Sequence, residues 1–173
     1  MAEPGLAPQR GVARVDDAMW RAYRDVRLAA LIDSPRAFWT RYAEAAERSD
    51  DDWRAMVARG PALWLAWDGD LPVGTVGLWH ADDQPADEVY LVGMWVASTA
   101  RGSGAARELV DAAVAEARSE GRRRVALDVA RENPRARRFY LRCGFVPTGR
   151  TGAMPWDPTC VEERMVLDLP GPG

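Results

Sequence analysis

Residues 88–119 read EVYLVGMWVASTARGSGAARELVDAAVAEARS and contain a strand, a glycine-rich turn and a helix in immediate succession. The apolar run Glu88–Ala97 predicts the strand, and the single apolar stripe along Ser103–Ser119 predicts the helix. The turn between them, Arg101–Ala106, consists mostly of small residues. Because such a turn presents free backbone N–H groups at the positive end of a helix, it predicts a binding site for a diphosphate.

The turn does not fit two common diphosphate-binding fingerprints. A dinucleotide fingerprint would need glycine at the position of Arg107, and a P-loop would need lysine, which this chain lacks. Arg101–Ala106 instead resembles the Arg/Gln-x-x-Gly-x-Gly/Ala signature of the GNAT superfamily of N-acetyltransferases. Residues 127–145, LDVARENPRARRFYLRCGF, resemble the second motif of that family, in which Asn, Ala, Tyr and Gly-Phe recur at these spacings. Two motifs in the right order make the resemblance specific over residues 88–150.

The resemblance and the order of the predicted elements together give the fold class. We expect a mixed α/β (α+β) GNAT fold, with a central mixed, mostly antiparallel sheet of about seven strands, splayed at the acyl-CoA cleft, and helices on both faces. The whole chain, 1–173, is interpreted as one N-acetyltransferase domain with loose ends at 1–10 and 170–173. The predicted strands are 12–15, 63–67, 72–79, 88–97, 123–130 and a closing pair from 145 onward and at 161–169; the predicted helices are 17–33, 37–46, 52–59, 103–119 and 134–143, with a long loop at 152–158.

Composition excludes several classes of protein. Hydrophobic residues make up 47% and charged residues 28% of the 173 residues, which is typical of a globular domain. A net charge of −3 argues against nucleic acid as the partner. No stretch approaches the roughly 20 apolar residues of a membrane span, and the two cysteines lack metal-ligand spacing, so we expect no membrane, no metal and a cytoplasmic location. All 23 basic residues are arginine, which with the abundance of alanine indicates a bacterial source.

The resemblance implies acetyl-CoA as the co-substrate and assigns its contacts. A bulge splays the strand before the turn, and the pantetheine arm bonds to backbone groups there. Arg101 either pairs with a phosphate or serves only the conformation of the turn, and Asn133 is expected both to cap the following helix and to reach the pantetheine arm. The predicted acetyl-CoA-binding residues are Met94, Trp95, Val96, Arg101, Gly102, Ser103, Gly104, Ala105, Ala106 and Asn133.

The resemblance also implies direct attack of a neutral amine on the thioester, with the oxyanion held by a backbone N–H near Val96. Tyr140 is the predicted proton donor to the departing thiolate, although Tyr140 and its neighbour Phe139 could instead be core aromatics. Glu88 is the first choice for the base that deprotonates the amine. The other polar candidates near the ends of the central strands are His80, Asp82, Asp83 and Tyr90.

The acceptor is not identified by the motifs. We expect a primary amine on a small molecule; the alternatives are a protein N-terminus or lysine side chain, or a non-catalytic acetyl-CoA sensor. A closed pocket would favour small molecules, whereas an open groove would favour peptides. Trp39, Tyr42 and Trp53 could wall an acceptor pocket or could instead pack helices onto the sheet, and Trp156 and Asp157 are further candidate acceptor contacts. A homodimer is compatible with the sequence, which shows no self-complementary patch.

Overall fold

The computed structural model describes residues 10–171 and contains one seven-stranded sheet in the order β1-β2-β3-β4-β5-β7-β6. Only β4 and β5 run parallel; every other neighbouring pair is antiparallel. The strands are β1 (Arg10–Arg14), β2 (Ala62–Asp68), β3 (Leu71–Trp79), β4 (Glu88–Val96), β5 (Arg124–Ala130), β6 (Val146–Met154) and β7 (Asp157–Asp168). The helices are α1 (Trp20–Asp33), α2 (Tyr42–Ala46), α3 (Asp50–Arg59), α4 (Ala105–Ser119) and α5 (Pro134–Arg142).

Helices cover both faces of the sheet, as predicted. Alternation along β2 shows the division: Leu63 and Leu65 pack with residues of α1, α2 and α3, whereas Trp64 and Ala66 pack with the apolar stripe of α4. The stripe consists of Leu109, Val110, Ala113, Val114 and Ala117, all buried. The sheet therefore lies between two hydrophobic cores, one on each face.

The sheet is splayed at its centre, where the predicted cleft forms. Pairing between β4 and β5 covers only residues 88–90 and 124–126, and the two strands diverge beyond Tyr90. On its other side, β4 carries one extra residue between its pairs with Gly77 and Thr75. Gly93 lies in this bulge with a φ of 62°, a left-handed conformation that favours glycine. The bulge and the early end of pairing confirm the splayed architecture.

The second predicted helix, 37–46, is wrong over its first half. Residues 35–37 form a single 3-10 turn, Phe38 is extended, and the helix begins only at Tyr42. Long-range hydrogen bonds hold the intervening segment: the indole of Trp156 donates to the carbonyl oxygen of Phe38, and the indole of Trp39 donates to Glu162. These tertiary contacts override the local helical pattern. We call residues 35–40 the strap.

The predicted loop at 152–158 is also wrong. β6 and β7 continue toward each other until Met154 pairs with Asp157, so that only a two-residue turn remains. Buried Met154 packs with Ala130 and Cys160, and this apolar contact accounts for the longer strands. The predicted loose ends fall partly outside the described residues; Arg10, predicted to be loose, pairs with Asp68 as the first residue of β1.

Two further features follow from the described residues alone. Among residues 10–171, no helix is both long and apolar enough to cross a membrane. The same part of the chain contains no group of three or more histidine, cysteine or acidic side chains arranged to hold a metal ion.

Candidate active site

Two adjoining cavities occupy the splay between β4 and β5. The smaller cavity, about 270 Å³, lies between the end of β4, the glycine-rich turn and α5. The larger cavity, about 700 Å³, extends from the splay toward the strap and the far ends of β3, β5 and β7. Both cavities are lined by Ala37, Met94, Asn133, Ala136 and Tyr140.

The glycine-rich turn leaves backbone donors free at the smaller cavity. Gly102 and Gly104 have φ values of 81° and 93°, which turn successive N–H groups toward the same side. The N–H groups of Gly102, Gly104 and Ala106 donate to no residue between 10 and 171, while that of Ala105 reaches only the hydroxyl of Ser103 at 3.3 Å. With the positive end of α4 behind them, these donors fit an anion such as a diphosphate.

Arg101 lines the smaller cavity beside the turn. Its guanidinium donates to the carbonyl oxygen of Val96 at 3.1 Å and to the carboxylate of Asp33 at 3.1 Å. Asp33, at the end of α1, also accepts from the indole of Trp95 at 3.0 Å. The hydrogen bond from Trp95, with smaller contributions from Ser34 and Arg101, holds the pKa of Asp33 below its usual value. Asp33 thereby ties α1 to both β4 and the turn, a role that sequence reasoning missed.

Two other arginines are better placed than Arg101 to meet a phosphate. Arg135 and Arg142 line the smaller cavity, and neither guanidinium bonds to a residue within the described range 10–171. Arg107, by contrast, is paired with Asp111. The abundance of arginine in α5 could have suggested these residues, but only the fold shows which side of the helix faces the cavity.

The predicted pantetheine contacts line the smaller cavity. Met94, Trp95 and Val96 form one wall. Hydrogen-bonding directions alternate along a strand, and Ala97 donates to β3, so the N–H of Val96 points toward the open side. Asn133 lies on the opposite wall, where its Oδ1 accepts from the N–H of Ala136 and confirms the predicted helix cap. Its side-chain amide N–H groups remain available to the cavity.

Tyr140 lies where the two cavities meet. Its ring is buried and packs against Phe139 and Phe145. Its hydroxyl makes no hydrogen bond with any residue from 10 to 171. Burial raises the pKa of Tyr140 above the usual range of a phenol and keeps it protonated. A neutral phenol of this kind can donate a proton or a hydrogen bond.

The larger cavity brings polar and aromatic groups together from distant parts of the chain. Trp39 and Trp79 line it while remaining 56% and 45% exposed, which places them at its mouth. Tyr90 stacks on Trp79, and an ion pair between Asp128 and Arg164 lies on the β5–β7 side. Its further charged lining residues are Arg27, Asp83 and Glu162.

Glu162 is the buried carboxylate of the larger cavity. It is 5% exposed, and one oxygen accepts from the indole of Trp39 at 2.8 Å. Burial raises the pKa of Glu162 above the usual value of a carboxyl group. Sequence reasoning missed this residue, although alternation in β7 gives a signal: Cys160, Glu162 and Arg164 share one face of the strand.

Of the predicted base candidates, Asp83 and Tyr90 line the larger cavity, whereas Glu88, His80 and Asp82 line neither cavity. Glu88 is at the paired end of β4, opposite Arg124, where it accepts from the side chain of Gln84; it lines neither cavity. His80 bonds to the carbonyl oxygen of Pro85 and also lies outside both linings. The geometry therefore gives no support to Glu88 as the base. Glu88 lies at the end of β4 that is still paired with β5, away from the splay where the cavities form.

Trp156 and Asp157, predicted as acceptor contacts, instead hold the strap. Trp156 donates to Phe38, and Asp157 pairs with Arg36, whose guanidinium also lies 5.2 Å from the centre of the Trp156 ring. Neither residue lines a cavity. The hairpin end of β6 and β7 thus closes the larger cavity indirectly, through residues 36–39.

Comparison with known sequences identifies the family. The model of the acetyltransferase (GNAT) family matches residues 19–145. The chain is 32% identical over 123 residues to human N-acetyltransferase 8B, covering 68% of this chain and 54% of that protein. It is 30% identical over 123 residues to human N-acetyltransferase 8, with the same coverage. The chain thus spans about half the length of the curated relatives it matches.

Solved structures of low sequence identity share the fold. An N-acetyltransferase from Staphylococcus aureus superposes with a TM-score of 0.77 at 17% identity, covering 94% of this chain and 100% of that one. The yncA protein of Salmonella typhimurium, solved with its cofactor acetyl-CoA, superposes with a TM-score of 0.75 at 18% identity. The superposition covers 96% of this chain and 97% of that one. The family match over most of the chain, on a sheet splayed beside a glycine-rich turn, shows that this chain belongs to the acetyltransferase (GNAT) family.

Proposed function

We propose that this protein transfers an acetyl group from acetyl-CoA to a primary amine of a small molecule, by direct attack within a ternary complex. The observation that carries the proposal is the meeting of the two cavities at Tyr140. One cavity offers backbone donors for a diphosphate, and the other offers a buried carboxylate, Glu162. The junction is where an acyl group and an amine would meet.

Acetyl-CoA fits the groups that line the smaller cavity and supplies the activated acyl carbon. The diphosphate takes the free N–H groups of Gly102, Gly104 and Ala106, with Arg135 and Arg142 as cationic partners. The pantetheine arm runs along Met94–Val96 and past the amide of Asn133. Arg101 acts on this site only through the turn, because its guanidinium is already bonded to Asp33 and Val96.

Glu162 is the residue we assign as the base that accepts the proton of the amine. An amine arrives protonated and must become neutral before it attacks a carbonyl carbon. Burial raises the pKa of Glu162 toward the range in which a carboxylate accepts a proton efficiently. The hydrogen bond from Trp39 keeps this carboxylate in one position. Glu162 replaces Glu88 in this role because only Glu162 lines the cavity.

Tyr140 and Val96 complete the proposed chemistry. The N–H of Val96, directed into the splay, can hold the negative charge that develops on the carbonyl oxygen. The neutral hydroxyl of Tyr140 then gives its proton to the departing thiolate. The buried surroundings of Tyr140 favour its protonated form until that step.

The shape of the larger cavity supports a small acceptor. The strap, through Ala37, Trp39 and Thr40, forms part of its wall together with Pro61. The hydrogen bond from Trp156 to Phe38 holds that wall in place. A bounded cavity of about 700 Å³ matches the size of sites for small molecules, which span about 300–1,000 Å³. A peptide would need a groove that continues past the strap.

A thiol-release assay with acetyl-CoA tests the proposal against a panel of amino acids, polyamines, aminoglycosides and peptides. Turnover of a small amine is expected, with calorimetry showing CoA binding. Because the chain has no lysine, background from self-acetylation is low. Turnover of peptides alone would contradict the small-molecule acceptor. CoA binding without turnover of any amine would contradict the enzymatic proposal and favour a sensor.

Glu162→Gln tests the base. We expect kcat to fall by about 100- to 1,000-fold with unchanged CoA affinity, since a general base contributes on this scale. The acid limb of the pH–rate profile should also disappear. Glu163→Gln is the matched control, because Glu163 is the next residue and pairs with Arg137 outside both cavities. Equal kcat values for the two variants would exclude Glu162 as the base.

A further inference from the structure

Arg27 is a cation of the larger cavity with no bonded partner. It lies in the middle of α1, and its guanidinium lies 4.8 Å from the centre of the Phe38 ring. Nη1 is the one buried side-chain nitrogen or oxygen atom among residues 10–171 that has no hydrogen bond. No carboxylate in that range forms an ion pair with this guanidinium. Arg27 is partly buried, and a buried charged atom without a partner is unfavourable, so this nitrogen needs an explanation.

The surroundings of Arg27 do not neutralise its charge. The titratable groups that act electrostatically on Arg27 are the phenol of Tyr23 and a second cation, Arg48. Burial, the largest effect, lowers the pKa of Arg27 below its usual value, with Arg48 adding to the shift and Tyr23 opposing it. Asp33, on the same helix, is already bonded to Trp95 and Arg101. This wall of the larger cavity is therefore positive and complementary to an anion.

Arg27 also lies beside the bulge of β4. A Cβ atom placed on Gly93 would stand 3.5 Å from Nη1 of Arg27, and Met94, the next residue, lines both cavities. An anion held by Arg27 would thus lie close to the junction at which the amine reacts. In an α-amino acid, the carboxylate and the amine are attached to the same carbon atom, so the two groups fit this short separation.

We propose that the acceptor is an α-amino acid or a similar amine with an adjacent carboxylate, and that Arg27 binds this carboxylate. The inference rests on the proposed function and specifies the substrate class of the same site. Glu162 faces the ammonium group, and the guanidinium faces the carboxylate, so the cavity matches a zwitterion. Trp39 and Trp79 at the mouth provide an apolar surface for the side chain of the acceptor.

The test compares amino acids with the amines that lack only the carboxylate. The pairs are L-phenylalanine and phenethylamine, L-tryptophan and tryptamine, and L-leucine and isopentylamine. We expect kcat/KM to favour the amino acid by at least about 30-fold in one or more pairs, the scale of one charge-assisted hydrogen-bonded contact. Equal or faster turnover of the decarboxylated amine in every pair would overturn the proposal.

Arg27→Met keeps the length and apolar character of the side chain and removes the charge. We expect it to abolish the preference for the amino acid, because kcat/KM for the amino acid should fall much further than kcat/KM for the decarboxylated amine, with CoA affinity near wild type. Arg27→Lys should restore part of the preference. If Arg27 had a purely structural role, the substitution would instead lower kcat/KM equally for the amino acid and for the decarboxylated amine. Arg21→Met is the control, because Arg21 also lies on α1 over an aromatic ring, that of Trp20, but outside both cavities.

A binding measurement separates this inference from the enzymatic proposal. Calorimetry of the protein saturated with CoA should detect a preferred amino acid and show its loss in Arg27→Met, even if no amine is acetylated. Binding in that case would support the anion site and contradict only the transfer reaction. Identical binding of the amino acid to wild type and Arg27→Met would overturn the role of Arg27.

Discussion

The smaller cavity and the larger cavity are built from the chain in different ways. The smaller cavity is lined mainly by two short segments, the end of β4 with its turn and the segment 133–142, with a few residues of 34–38 beside them. The larger cavity relies on side chains that come from α1, the strap, β3, β4, β5 and β7. Arg27, which has an unpaired buried nitrogen, and Glu162, which is a buried carboxylate, are far apart in sequence and line the same cavity only in the folded protein.

The difference has a physical basis. Backbone N–H groups at a helix start are positioned by local φ and ψ angles, so a glycine pattern is enough to predict them. A side-chain cavity depends on register, twist and helix packing, which are long-range properties. The smaller cavity should therefore be sensitive to changes in backbone conformation, and the larger cavity to changes in individual side chains.

Gly104→Glu should have the largest effect and act only on the smaller cavity. The new carboxylate would repel the diphosphate, and the left-handed φ of 93° disfavours any side chain, so CoA affinity should fall by about a thousandfold. Gly121→Glu is the control, because Gly121 follows the other end of α4 with a φ of 75° and open space around it. Calorimetry measures both. Equal CoA affinity in the two variants would show that the turn is not the phosphate site.

Tyr140→Phe should affect the junction and leave both cavities intact. Loss of the proton donor is expected to lower kcat about a hundredfold, with little change in CoA affinity. The hydroxyl makes no hydrogen bond with the described residues, so thermal stability should stay near wild type. Stopped-flow or steady-state thiol release gives kcat. An unchanged kcat would limit Tyr140 to its packing role.

Asp33→Asn should weaken the smaller cavity from a distance. Asp33 accepts hydrogen bonds from Trp95 and Arg101, and an amide would hold these groups less firmly. We expect a loss of about fivefold in CoA affinity, the scale of one partly exposed ion pair. Asp68→Asn is the control, since Asp68 pairs with Arg10 on the surface. A loss of equal size in both variants would contradict the tie to the turn.

The smallest expected effect is on stability and concerns the larger cavity. Because burial raises the pKa of Glu162, the folded state binds more protons than the unfolded state between the ordinary and the raised value. The free energy of unfolding therefore falls as pH rises through that window, and Glu162→Gln should gain Tm at neutral pH, by about 2–4 °C for each kcal/mol.

Glu163→Gln should show the opposite dependence. Arg137 lowers the pKa of Glu163, so its contribution to stability is present at neutral pH and is lost as pH falls. The measurement is Tm from melting curves of wild type and both variants, recorded at about one-unit steps between about pH 4 and pH 8. Parallel Tm profiles for both variants would contradict the assigned burial of Glu162.

Most of the fold was predictable, because its signals are local. The stripe of α4, the β2–β3 hairpin and the β4–turn–α4 unit follow from periodicity and turn chemistry, and the structure confirms them. The errors fall where tertiary contacts override local pattern. The strap is not α-helical, because Trp156 and Glu162 form hydrogen bonds with Phe38 and Trp39. The β6–β7 hairpin is longer than predicted because Met154 packs in an apolar cluster.

The same division applies to the site. The residues of the turn, the bulged strand and Asn133 could be chosen from sequence, because each belongs to a motif whose backbone geometry is nearly independent of the rest of the chain. Glu88 was predicted as the base and Glu162 was not among the candidates, because position along a strand is visible in sequence, whereas burial and the splay are not. The sequence alone established the family resemblance and predicted the turn as an anion site; the tertiary structure established which charges share the larger cavity, because burial and proximity depend on how distant elements pack.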